Sequence, residues 1–61
     1  KIRAVIDMLL QDGWLLVNQK GSHRQYKHPT KKGRVTVAGA LNEDLHPKTL
    51  KSIFTQAGLT R

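Results

Sequence analysis

Cysteine is absent from this 61-residue chain, aromatic residues number only three, and four carboxylates stand against eleven lysines and arginines. Without cysteine there are no disulfides and no cysteine-based zinc site to staple so small a chain, and the composition suits a reducing, cytoplasmic location. The three histidines, His23, His28 and His46, lie far apart and have no cysteine companions, so no metal site and no cofactor are expected. No apolar run approaches the roughly 18 residues of a membrane span. The start lacks the basic-then-apolar layout of a signal peptide, and it opens on Lys1, as if a residue or two preceded it.

What is abundant is positive charge. The net charge is +7, and it clusters between Lys20 and Arg34. Charge of that sign and density raises the local concentration of polyanions, which makes nucleic acid the natural partner. A single domain spanning 1–61 is expected, and a domain of this size buries only about 60% of the surface its unfolded chain exposes. The core must be thin.

Along the chain, Ile2, Val5, Ile6, Leu9 and Leu10 fall at the spacing of one helical stripe, and Gly13 suits the left-handed stop that follows. A helix is predicted from Ile2 to Gln11. Residues 14–20 then read as a strand, with Trp14 as a core anchor. Leu15 and Leu16 are adjacent and cannot share a face of a regular strand, which calls for a bulge or an exposed leucine. Gly21 and Ser22 supply a tight turn. Residues 23–28 form a second strand, closed by Pro29 to Gly33, and residues 34–38 alternate cleanly as a third. After a loop, His46 caps a second helix with Pro47 in its first turn and Leu45 and Leu50 as a hydrophobic staple. Leu50, Ile53, Phe54 and Ala57 repeat at helical spacing before the stop at Gly58, onto which Leu59 folds back.

The order is therefore α-β-β-β-α, an α+β fold in which a three-stranded antiparallel meander takes both helices on one face. The other sheet face stays wet. Tyr26 belongs on the covered side, which leaves His23, Gln25 and Lys27 on the open side with Arg34 and Thr36 beside them. Arg24 shares the parity of Tyr26.

From Gln19 through Gly21-Ser22-His23 to Pro29, again at Val35-Thr36-Val37, and from Thr49 to Leu59, the chain resembles the HicA family of toxins, and Asp12-Gly13-Trp14 also fits. The resemblance implies a fold like that of double-stranded-RNA-binding domains. It implies a type II toxin-antitoxin toxin of the stress response that acts as a ribonuclease on messenger RNA, an mRNA interferase, and is neutralised by a HicB-type antitoxin. It also implies that the histidine of Gly-Ser-His, here His23, is catalytic. Members often carry a His-Pro or similar polar turn after the third strand, where this chain has Ala38-Gly39-Ala40-Leu41-Asn42.

A ribonuclease without a metal lets the ribose 2′-hydroxyl attack its own phosphate, which needs a base near the hydroxyl and cations around the phosphate. His23 is the expected general acid or base, since imidazole titrates near neutrality. Lys20, Ser22, Arg24, Gln25, Lys27 and Arg34 are expected to contact RNA, with Lys48 and Lys51 adding an anion site at the start of the second helix. Without the resemblance, a histidine after a turn reads most often as an inert surface residue. His28 and His46 read as a turn residue and a helix cap. Two other functions suit the same residues: a non-catalytic double-stranded RNA-binding module, or a protein-interaction module whose basic face takes an acidic partner.

Overall fold

A computed structural model describes residues 1–59, with five elements in the predicted order: α1 (Ile2–Gln11), β1 (Leu15–Lys20), β2 (His23–Lys27), β3 (Arg34–Val37) and α2 (Pro47–Ala57). The strands form one antiparallel sheet in the order β1-β2-β3. Tyr26, Val35 and Val37 project from one face of that sheet into a cluster with Ile2, Val5 and Leu9 of α1, Trp14, and Ile53 and Ala57 of α2. Both helices therefore share a face, and the reverse of the sheet is left to solvent. This is the α+β, α-β-β-β-α arrangement that the apolar spacing predicts.

Local chemistry explains the ends of the elements. The His46 side chain accepts from the backbone N–H of Lys48, and Pro47 occupies the first turn of α2. At the other end Gly58 is left-handed (φ 70°), and the backbone N–H groups of Gly58 and Leu59 donate to the carbonyls of Thr55 and Phe54. That is a Schellman stop, and Leu59 packs against the core as such a stop favours. Helix α1 has no side-chain cap. Its first amides instead donate to loop carbonyls, Ile2 to Glu43 at 2.9 Å and Arg3 to Leu41 at 3.1 Å. The Ala38–Asn42 turn and the residue after it thus satisfy a helix end at the start of the chain.

Strand β1 has no buried residue. The register runs Leu15↔Lys27 and Leu16↔Tyr26, then resumes at Asn18↔Gln25, so Val17 is the extra residue of a bulge. Both halves of the sequence expectation occur together: the strand is bulged, and Leu15 and Leu16 stay exposed at 57% and 47%. Leu10, placed on the α1 stripe by its spacing, is 46% exposed. A core this thin reaches the middle of the stripe and leaves its flank outside. Trp14 compensates. It is fully buried, and truncating such a residue removes about 3–5 kcal/mol, comparable to the whole stability of about 3–9 kcal/mol expected at this length.

Candidate nucleic-acid interface

The turn that carries the Gly-Ser-His motif joins β1 to β2 through two residues, with Lys20 paired to His23. Gly21 has φ 59° while Ser22 keeps a negative φ, the pattern of a type II′ hairpin, which matches the twist of the strands it joins. The Gln19 side chain donates to the Gly21 carbonyl at 3.1 Å and steadies the turn. His23 follows immediately, exposed on the open face.

The hairpin register decides which residues of β1 join it, and a bulge reconciles that register with the far end of the strand. With Leu15 on the open face opposite Lys27, strict alternation would send Asn18 and Lys20 toward the helices. One extra residue at Val17 reverses the parity, so Asn18 lies opposite Gln25 and Lys20 opposite His23 on the solvent side. These four side chains line a shallow concavity of about 420 Å³. Beyond it the same face carries Lys27 and its partner Arg34, with Thr36 beside Gln25. Arg34 Nη1 donates to Gln25 Oε1 at 3.0 Å, which ties the guanidinium to the amide. The four carboxylates, Asp7, Asp12, Glu43 and Asp44, lie on α1, at its end and in the loop before α2. Among the described residues no carboxylate shares the open face, so its cations are uncompensated there.

The remaining expected RNA contacts are distributed elsewhere. Arg24 faces the helix side, where Nη1 donates to the carbonyls of Ser22 at 3.2 Å and Gly39 at 3.0 Å. Its charge acts on Tyr26, opposing the upward push that burial gives the phenol. Ser22 is exposed in the turn. Lys48 and Lys51 are exposed on the first turns of α2, in the helical layer and thus on the reverse of the sheet from His23. The structure joins Lys20, His23 and Gln25 in one concavity, sets Lys27 and Arg34 beside it, and separates Arg24, Lys48 and Lys51 from it. Asn18 was not anticipated from sequence. Its signal was the two-residue Gly21-Ser22 turn, which pairs Lys20 with His23 and therefore Asn18 with Gln25.

The other imidazoles are occupied. His28 Nδ1 accepts from the backbone N–H groups of Thr30 and Lys31 at 3.1 and 3.2 Å, so the ring proton sits on Nε2 and is donated to the Asp12 carbonyl at 2.7 Å. Its ring meets Trp14 edge to face at 5.3 Å. Around it, Lys31 Nζ donates to the Asp12 carboxylate and to the Ala57 carbonyl, and Trp14 Nε1 donates to Asp12 Oδ2. Among the described residues no three His, Cys, Asp or Glu side chains converge as metal ligands, and no helix is long and apolar enough to cross a membrane.

Comparison with known proteins adds one match: a family model described as the HicA toxin of bacterial toxin-antitoxin systems aligns with residues 2–59. No curated protein matches the chain.

Proposed function

The chain belongs to the HicA toxin family of bacterial toxin-antitoxin systems, and on that premise we propose that it is a metal-independent endoribonuclease of messenger RNA with His23 as its general acid-base group. The observation that carries this reading is the position of His23, exposed on a cationic face and sharing a concavity with Lys20 and Gln25. In the reaction, imidazole takes the proton from a ribose 2′-hydroxyl, and the oxygen attacks the adjacent phosphorus. The bond to the 5′-oxygen of the next nucleotide breaks, that oxygen is protonated, and a 2′,3′-cyclic phosphate remains. Lys20 is placed to stabilise charge gathering on the phosphoryl oxygens. Lys27 and Arg34 hold the neighbouring phosphates, with Ser22 at the rim of the turn. Water or the RNA itself completes the second proton transfer.

The same face is the surface that a HicB-type antitoxin of acidic character would cover, burying His23 and neutralising its cations at once. Cytoplasmic messenger RNA is the corresponding substrate pool. The test is degradation of RNA by purified wild-type and His23→Ala proteins in the presence of a metal chelator, with growth arrest and total messenger RNA followed on expression in a bacterium. Cleavage and arrest by the wild type alone supports the reading. A folded His23→Ala protein that still cuts RNA removes His23 from the mechanism, and tight duplex binding without cleavage by the wild type favours a binding module instead.

A further inference from the structure

We propose that Asn18 and Gln25 read the edge of one unpaired base beside His23, so that this site selects single-stranded RNA and discriminates among bases; the inference rests on the ribonuclease reading above. The two amides face each other across the β1–β2 pairing, one step along the same sheet face from Lys20 and His23. All four line one concavity of about 420 Å³, toward the small end of the range of roughly 300–1,000 Å³ in which proteins hold single small ligands. The layout separates two chemistries. The Lys20–His23 end suits a phosphate and ribose, whereas the Asn18–Gln25 end has no charge of its own and offers only amide donors and acceptors.

Gln25 is pre-set for such a task. Its Oε1 already accepts from Arg34 Nη1 at 3.0 Å, which leaves its NH2 group to donate outward. Asn18 makes no side-chain hydrogen bond among the described residues and can turn either its oxygen or its nitrogen toward a ligand. A fixed donor beside an adaptable amide matches the paired donor and acceptor atoms of a base edge, and Asn and Gln are the side chains that read such edges by two hydrogen bonds. In an A-form duplex the Watson–Crick edges are committed to pairing and the major-groove edges lie too deep to reach, so only a splayed, unpaired base brings those edges to the sheet. A duplex can lay phosphates on Lys27 and Arg34 but leaves the two amides unused.

The experiment measures binding with the His23→Ala protein, which leaves RNA intact. Probes are fluorescent single-stranded oligonucleotides that differ at one position, all four bases being tried there, together with the matching duplexes. Asn18→Ala and Gln25→Ala are then added on that background, with thermal melts to establish that each is folded. Expected are about tenfold differences among the bases, weaker binding of the duplexes, and a levelled base profile in both added variants. An equal affinity for all four bases, an unchanged profile in the added variants, or duplex binding as tight as single-strand binding overturns the inference. If that happens while the wild type cuts RNA in a His23-dependent way, the nuclease reading survives alone. Failure of the wild type to cut RNA, together with failure of the His23→Ala protein to bind any RNA, overturns both.

Discussion

Two imidazoles five residues apart in one segment occupy opposite surroundings. His23 lies at the mouth of a hairpin, exposed, with cations beside it and, among the described residues, no carboxylate on its face. His28 has both nitrogens hydrogen-bonded and its ring against Trp14, in a corner that ties together the end of α1, the loop after β2 and the last turn of α2. A ring committed on both nitrogens serves as a strut, while an uncommitted one can exchange a proton with something that arrives. Histidine content alone says nothing about which is which; the partners do.

The sharpest way to break the comparison is to remove each ring in turn. His23→Ala should lower RNA cleavage by about 10²–10⁴-fold, the usual contribution of a general acid-base group, with an unchanged melting temperature. His28→Ala should do the reverse. It strands two backbone donors and one acceptor and costs about 1–3 kcal/mol, or about 4–8 °C per kcal/mol in so small a domain. Thermal melts and cleavage rates on the same preparations measure both. If the two variants lose activity and stability in equal proportion, the division between site and strut fails.

Gly13→Ala probes the corner from the other side. Gly13 has φ 102°, and a methyl group there would stand 2.8 Å from His28 Nε2, a ring that its own hydrogen bonds keep from retreating. A loss of about 1–3 kcal/mol is expected from the backbone conformation alone, again read by melting. A smaller effect should follow from reversing charge on the helical layer. Lys48→Glu combined with Lys51→Glu should weaken RNA binding and flatten its dependence on salt. Should affinity and slope stay as they were, binding is confined to the open face.

The mildest test uses acid. Lys31, donating to Asp12 Oδ2, holds that carboxyl below its ordinary value, and burial opposes the shift only in part. A depressed folded pKa means that the stabilisation is fully present above the unfolded carboxylate range, near pH 4, and is lost as pH falls through the lower folded value. Denaturant melts from pH 5 to pH 2 should therefore show a steeper loss for wild type than for Asp12→Asn. Equal slopes would detach Asp12 from the acid sensitivity of the corner.

Much of this was legible in the chain. Apolar spacing marked both helices to the residue, Gly58 and Leu59 announced the Schellman stop, and the parity of Tyr26 already separated His23, Gln25 and Lys27 from Arg24. Less legible was whatever depends on a distant partner. Nothing near Ile2 signals that Leu41 and Glu43 will receive the first amides of α1. His28 already reads as a turn residue, but nothing in its segment signals that the Asp12 carbonyl will take its ring proton.

Periodicity, caps and turns act over a few residues, so the order of elements and the wet face of the sheet could be had from local sequence. The bulge at Val17 could not. Its position is set by which β1 residues pair with β2 once Tyr26 is drawn into the core, and that single extra residue puts Leu15 opposite Lys27 while Asn18 stays opposite Gln25. The composition of the site follows from the hairpin register that the two-residue turn imposes, whereas the point at which β1 absorbs an extra residue was decided by tertiary packing.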